Sequence, residues 1–146
     1  ACAGFLPFNF PRARIFMGDV GSGAIGFALG ALCVVAGARM GEKFALVLLP
    51  VSVFLVDSAL TLLRRIVRGE RWWTPHTQHA YQGWSRAAGH GRVTIAYALV
   101  SLGVIMAGWG VMPRDAFFIA GTTGAWYMCC AFFWLVLQKK FPGAAS

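Results

Sequence analysis

Four polar residues suited to binding a charged ligand lie close together near the start of the chain. Asn9, Arg12, Arg14 and Asp19 supply an amide, two guanidiniums and a carboxylate within Asn9-Phe-Pro-Arg-Ala-Arg-Ile-Phe-Met-Gly-Asp-Val-Gly-Ser22, called the 9–22 motif below. Guanidiniums pair with phosphate, and a carboxylate is a ligand that a hard cation such as Mg²⁺ prefers. A helix that begins here would add backbone N–H groups, which favour an anion. The pattern is typical of a site for a nucleotide diphosphate.

Asp19 has a second explanation, because an Asp at the start of a helix is also a good N-cap. Gly21 and Ser22 follow it closely, and for an isolated residue capping is the ordinary role. The neighbouring amide and guanidiniums favour a ligand-binding role. The sequence leaves both roles open.

A second polar cluster occupies the range 67–92, which is basic, aromatic and rich in histidine. A zinc site at His76 and His79 is poorly supported, because no third ligand follows at a suitable spacing. A basic segment beside a membrane also binds anionic lipid headgroups. The histidines favour a site that donates hydrogen bonds to phosphate or sugar. The residues concerned are Arg68, Arg71, His76, His79, Tyr81, Gln82, Arg86, His90 and Arg92.

The elements that must position these residues are apolar. Hydrophobic residues make up 58% of the chain and charged residues 12%, against roughly 25% charged in soluble domains. Windows at 20–38, 44–63, 93–111 and 116–137 approach or reach the ~20 residues that a transmembrane helix needs. Strands of a barrel would alternate apolar and polar side chains, which these windows do not. We therefore predict an all-α polytopic membrane protein with about four transmembrane helices in a single membrane domain, 1–146.

The net charge of +8 is distributed as in a membrane protein and not as in a nucleic-acid-binding one. Most of the cations fall on one side of a four-span zigzag, which is the positive-inside asymmetry. It places the segments 4–19 and 67–92 in the cytoplasm, together with the C-terminal tail. The cations on that side are Arg12, Arg14, Arg64, Arg65, Arg68, Arg71, Arg86, Arg92, Lys139 and Lys140, and those on the other are Arg39, Lys43 and Arg114.

The second span carries a carboxylate, Asp57. At helical spacing it shares one face with a threonine and three arginines that lead into the 67–92 segment. A charge in a span is costly. It is explained either by a structural contact with a neighbouring helix or by a functional polar groove, and both remain open. The other residues of this stripe are Thr61, Arg64, Arg65 and Arg68.

Glycine and tryptophan in the spans have packing explanations. Gly26 and Gly30 have the spacing that brings transmembrane helices close together. Tryptophans near the span ends, Trp134 among them, suit an interfacial aromatic belt. A homo-oligomer is left open by the sequence.

The 9–22 motif resembles the Asn-x-x-x-Ala-x-x-Phe-Met-Gly-Asp-x-Gly-Ser signature of the polyprenyl-phosphate N-acetylhexosamine-1-phosphate transferases. These membrane enzymes belong to glycosyltransferase family 4. The segment Asp57-Ser-Ala-Leu-Thr-Leu-Leu-Arg-Arg65 resembles the next membrane helix of that family. His76-Thr-Gln-His-Ala-Tyr-Gln82 is similar to the histidine loop of the branch that initiates O-antigen.

The resemblance implies an enzyme of the bacterial inner (plasma) membrane. Its expected reaction transfers a sugar-1-phosphate from a UDP-linked N-acetylated amino sugar to undecaprenyl phosphate, releases UMP, and uses Mg²⁺ as cofactor. By position, the resemblance implies that Asp19 is catalytic and binds Mg²⁺ or the diphosphate, and that Asn9 contacts the nucleotide sugar. It likewise implies that His79 acts in the substrate-recognition loop. The remaining residues expected to bind substrate are Arg12, Arg14, His76 and Arg92.

The family's paired aspartates lie in an N-terminal half that does not precede the 9–22 motif here. The chain is therefore expected to be the C-terminal part of a larger helical bundle and to be inactive alone. The expected partners are the lipid phosphate, the nucleotide sugar and the bilayer, with no nucleic acid. The residues alone leave an alternative, a non-enzymatic transporter or structural fragment that binds anionic lipid.

Overall fold

The computed structural model describes residues 2–10, 14–15, 17–70 and 79–141. All regular elements in these ranges are helices, which confirms the all-α class. The helices, in chain order, are α1 (Cys2–Asn9), α2 (Gly18–Met40), a 3₁₀ segment (Gly41–Leu48), α3 (Ser52–Val67), α4 (Ala80–Ala88), α5 (His90–Val111) and α6 (Ala116–Lys140).

The end of α2 is set by Gly41, whose φ of 55° lies in the region that glycine adopts readily. Its N–H donates to the Gly37 carbonyl and closes the last turn of the helix. The chain then folds back, so that the Phe44 ring packs directly on the Gly37 backbone. The 3₁₀ segment therefore lies against the end of α2.

The range 44–63, predicted as one continuous helix, is divided in the structure. The 3₁₀ segment ends at Leu48 and α3 begins at Ser52, with Pro50 between them. Proline lacks the N–H that a helix interior needs. Side chains of α6 bond the interrupted region, because Tyr127 Oη donates to the Leu48 carbonyl at 2.9 Å and Trp126 Nε1 donates to Ser52 Oγ at 2.8 Å.

Three stretches in the described ranges are long and apolar enough to cross a membrane: Gly18–Leu48, His90–Val111 and Ala116–Lys140. The fourth predicted span corresponds to α3, which has only 16 residues and falls short of the ~20 that cross a bilayer. The three long helices make this a multi-pass membrane protein.

The core lies where α3, α4 and α6 meet. Val56, Ala80, Trp134 and Leu137 form one buried cluster at this junction. The helix α4 itself falls inside the range 67–92, which the sequence analysis treated as a loop. Its apolar side packs on α3 and α6, so the residues 80–88 of this range are folded against the bundle.

Hydrogen bonds from side chains join neighbouring elements at the two ends of the bundle. Lys43 Nζ donates to the Met112 carbonyl at 2.7 Å, which joins the 3₁₀ segment to the α5–α6 turn. Arg64 Nη1 donates to Gln138 Oε1 at 2.6 Å, which joins the last turns of α3 and α6. The C-terminal ends of α3 and α6 therefore lie together at one end of the bundle, beside α4.

Candidate functional site

Asp57 lies in the core and holds α4 in place. It is 5% exposed, and its Oδ1 atom accepts hydrogen bonds from the Ala80 N–H and from Trp134 Nε1, both at 2.9 Å. The first N–H groups of a helix lack partners within the helix. The carboxylate of α3 therefore caps the start of α4, as an N-cap side chain would.

His79 is the residue immediately before α4, and the structure brings it to Asp57. Its backbone is extended, with φ −62° and ψ 142°, which turns the chain into the helix. His79 Nδ1 lies 3.2 Å from Asp57 Oδ2, an ion-pair distance. The imidazole also stacks at a tilt near Tyr81, with ring centroids 5.7 Å apart. His79 is thus held in a defined position, partly accessible, at the end of a helix.

A histidine paired with a buried carboxylate is a chemically useful unit. The carboxylate orients the ring and favours one arrangement of its protons. The other nitrogen can then donate to or accept from a phosphate or a sugar hydroxyl. The arrangement suits recognition or proton transfer at a membrane surface.

The first residues of the 9–22 motif lie beside the start of α5. A methyl group at Gly91 would lie 3.9 Å from Phe10 Cε2, which is an ordinary van der Waals contact. The neighbouring Asn9 Oδ1 is buried and has no hydrogen-bond partner among the described residues. Exposed Arg92 lies in the same first turn of α5. One end of the motif therefore lies next to one of the predicted substrate-binding arginines.

Arg14 and Asp19 lie further along the motif, and both are exposed. The Arg14 N–H donates to the Phe8 carbonyl at 3.0 Å, which places Arg14 beside α1. Asp19 lies in the first turn of α2, but Met17 occupies the N-cap position and makes no side-chain cap. The capping explanation of Asp19 is therefore wrong, because the helix begins one residue before it. Its carboxylate is available to a ligand.

The described residues do not make a complete magnesium site. No group of three or more His, Cys, Asp or Glu side chains comes together in the parts of the chain that the structure describes. Asp19 offers one carboxylate, and Asp57 is engaged with α4 and Trp134. The described residues therefore supply at most one carboxylate ligand, Asp19, to a magnesium ion.

Two predicted substrate-binding residues, Arg12 and His76, lie outside the described residues. Two residues at the junction of α3, α4 and α6 were not placed there from the sequence. Asp57 was left between a structural and a functional role. Trp134 was attributed to the interfacial belt, whereas it is 7% exposed and bonds Asp57. The polar stripe on α3 is a signal for Asp57, but no local pattern marks Trp134.

Comparison with known proteins connects this arrangement to one family. The sequence model of Glycosyl transferase family 4 matches residues 1–37, which contain the whole 9–22 motif. A decaprenyl-phosphate N-acetylglucosaminephosphotransferase of Mycolicibacterium smegmatis is 42% identical over 94 residues, covering 56% of this chain and 23% of that protein. The protein of the same name from Mycobacterium leprae is 29% identical over 138 residues, covering 86% of this chain and 34% of that protein.

A second kind of relative also matches the chain. The phospho-N-acetylmuramoyl-pentapeptide-transferase of Methylacidiphilum infernorum is 32% identical over 108 residues, which is 70% of this chain and 27% of that protein. The chain spans about a quarter to a third of the length of these curated relatives. No solved structure matches the chain. The motif, the helices and these similarities together show that the chain belongs to glycosyl transferase family 4, among the polyprenyl-phosphate hexosamine-1-phosphate transferases.

Proposed function

We propose that the full-length protein containing this chain transfers a sugar-1-phosphate from a UDP-linked N-acetylated amino sugar to undecaprenyl phosphate. UMP is the second product, and the lipid-linked sugar starts a cell-envelope polysaccharide such as O-antigen. As a multi-pass member of a bacterial membrane family, the protein lies in the inner (plasma) membrane.

The observation that carries the proposal is the position of the 9–22 motif. It ends in the first turn of α2, where an exposed carboxylate, Asp19, adjoins the N-terminus of a membrane helix. Helix N-termini favour phosphate, and two arginines of the motif add to this. The membrane surface is also where a lipid phosphate and a soluble nucleotide sugar meet.

The reaction is a displacement at phosphorus. An oxygen of the lipid phosphate forms a bond to the β-phosphorus of the UDP-sugar. The bond between that phosphorus and the oxygen bridging to the α-phosphate breaks, and the electron pair leaves with UMP. Catalysis of such steps depends on positioning and on electrostatic stabilisation of the phosphate oxygens.

The proposed roles follow the side-chain chemistry. The amide of Asn9 contacts the nucleotide sugar, and its unpartnered buried oxygen is an acceptor for a sugar hydroxyl. Exposed Arg14 and Arg92 pair with the diphosphate. His79 recognises phosphate or sugar from the start of α4. The same substrate-binding roles are proposed for Arg12 and His76.

Asp19 is the proposed catalytic carboxylate and a ligand for Mg²⁺. A bound Mg²⁺ would supply charge neutralisation to the diphosphate. The described chain provides one such carboxylate, and the rest of the coordination is assigned to parts of the protein outside it.

The proposed donor carries an N-acetylated amino sugar, and the proposed acceptor is undecaprenyl phosphate. The relatives named above are a decaprenyl-phosphate N-acetylglucosaminephosphotransferase and a phospho-N-acetylmuramoyl-pentapeptide-transferase. Both names describe transfer of an N-acetylated sugar phosphate. This favours an N-acetylated amino sugar as donor over a hexose without an acetamido group.

The test is direct transfer in membranes containing the full-length protein. Labelled UDP-N-acetylglucosamine is supplied with undecaprenyl or decaprenyl phosphate, and lipid-linked label and UMP are both measured. Equimolar products that depend on added lipid phosphate support the proposal, and the preferred lipid is read from the same assay. Absence of transfer with any UDP-linked N-acetylated amino sugar would favour the non-enzymatic alternative.

A further inference from the structure

Three polar groups contact the Asp57 carboxylate, two from the start of α4 and one from α6. Oδ1 accepts from the Ala80 N–H of α4 and the Trp134 indole of α6, each at 2.9 Å. Oδ2 faces His79 Nδ1 at 3.2 Å. All three contacts lie at the junction that also holds the apolar core.

The two oxygens serve different purposes. Both structural contacts, to the backbone of α4 and to the indole, converge on Oδ1. A neutral amide oxygen also has the lone pairs to accept both hydrogen bonds, which would then be weaker than those to a carboxylate. The helix junction therefore does not by itself require a charged residue.

Burying a charge is costly unless it is paired, so the presence of Asp57 in the core calls for a specific partner. That partner is His79, the group that faces Oδ2. An asparagine would place an NH₂ group there, and a donor cannot accept the Nδ1–H of an imidazole. Of the three contacts, the one with His79 is therefore the one that an asparagine would change most.

We propose that Asp57 is a positioning residue for His79. This rests on the proposed function. The carboxylate directs Nδ1–H inward and fixes the ring, so that Nε2 is the nitrogen presented to phosphate or sugar. The same residue anchors α4, so the recognition histidine and the helix behind it are held by one side chain of α3.

The test is the variant Asp57→Asn in the full-length protein. It keeps Oδ1 as an acceptor for Ala80 and Trp134, and it replaces the charged oxygen that faces His79 by a neutral NH₂ group. Loss of the partner that orients a metal-ligating histidine typically costs about 10- to 100-fold, and a loss of the same order is expected for a histidine that binds phosphate or sugar. We expect kcat to fall by about that factor, with a smaller change in KM and a near-normal thermal midpoint in detergent.

The matched control is Trp134→Phe, which removes the other contact of the same carboxylate. It should lower the thermal midpoint and leave kcat per folded enzyme close to that of the wild type. If Asp57 acts only as a structural anchor, the two variants would instead lower stability alike and leave kcat alike.

A double-variant cycle separates positioning from an independent role. With His79→Ala already present, Asp57→Asn should cause no further loss of kcat. If the double variant instead lost kcat by the product of the two single-variant factors, the residues would act independently and the proposal would be overturned. Wild-type turnover in His79→Ala would also overturn it, while leaving the transferase function intact.

Chemical modification of His79 tests its contact with Asp57 without any measurement of transferase activity. The rate at which diethyl pyrocarbonate modifies His79, followed by mass spectrometry, should rise in Asp57→Asn and not in Trp134→Phe. Unchanged modification in Asp57→Asn would show that Oδ2 does not hold the ring. Absence of transfer by the wild type, by contrast, would count only against the proposed function.

Discussion

The indole of Trp134 donates to Asp57 Oδ1 at 2.9 Å, which links α6 to α3 inside the core. The same oxygen caps α4 through the Ala80 N–H. Three helices therefore meet at one carboxylate, and the apolar core is built around a polar centre.

Trp134→Phe is expected to destabilise the protein. It leaves a buried carboxylate with one donor fewer and opens space in the core, which together cost about 1–3 kcal/mol. Thermal unfolding of the full-length protein in detergent measures the effect. Trp109→Phe is the matched control, because Trp109 is 69% exposed. Equal midpoints for both variants would show that the indole does not contribute to stability.

Much of the helical framework could be predicted from apolar runs alone. The windows 20–38, 93–111 and 116–137 fall within α2, α5 and α6. Hydropathy is informative here because a spanning helix needs an unbroken apolar length. The prediction of one continuous helix over 44–63 was wrong. A hydropathy scale does not detect that Pro50 lacks the backbone N–H that a helix interior needs.

The site was predictable only where its residues are neighbours in sequence. The 9–22 motif has its chemistry in one short segment. Asp57, in contrast, meets the Ala80 N–H 23 residues later and Trp134 77 residues later. Such contacts depend on how helices pack, and helix packing is not encoded in any local spacing.

Asp19→Asn in the full-length protein should abolish transfer without disturbing α2. Asp19 is exposed and is not the N-cap of α2, so the helix loses no capping bond. Removing a charge that acts in a phosphoryl-transfer site is expected to lower kcat by about 10²-fold or more. Transfer measured over a range of Mg²⁺ concentrations is the readout. Glu42→Gln, an exposed carboxylate in the 3₁₀ segment, is the control. Near-normal turnover of Asp19→Asn at all Mg²⁺ concentrations would contradict its role.

The segment 67–92 is predicted to face the cytoplasm, because cations accumulate on that side. A cysteine at exposed Ala87 should resist an impermeant thiol reagent in intact cells and react after permeabilisation. A cysteine at Met112, in the opposite turn, is 45% exposed at the native residue and should react without permeabilisation. Both are placed in a background with no other cysteine. Reaction at position 87 in intact cells would reverse the topology.

His79→Ala should lower activity more than His76→Ala. His79 lies against the Asp57 carboxylate at the start of α4, and the family resemblance assigns recognition to it. We expect about a 10- to 100-fold loss for His79→Ala, by analogy with other oriented functional histidines. Transfer is compared in membranes at matched expression. The reverse ranking would show that His76 is the recognition residue.

The 146-residue chain alone is expected to release no UMP from any UDP-sugar. In its described part no three potential metal ligands come together, and Mg²⁺ prefers near-ideal octahedral oxygen coordination. Asp19 supplies one such ligand, and Asp57 is already bonded to Ala80 and Trp134. UMP release is measured with the purified chain in detergent, together with lipid phosphate, UDP-N-acetylglucosamine and Mg²⁺. The full-length protein is the positive control.

Co-expression of the remaining part of the protein should restore transfer, because separately inserted helices can associate through small-residue faces. Gly26 and Gly30 of α2 form such a face, and no described side chain covers it. Robust Mg²⁺-dependent UMP release by the chain alone would mean that the reaction is carried out by residues other than those assigned here.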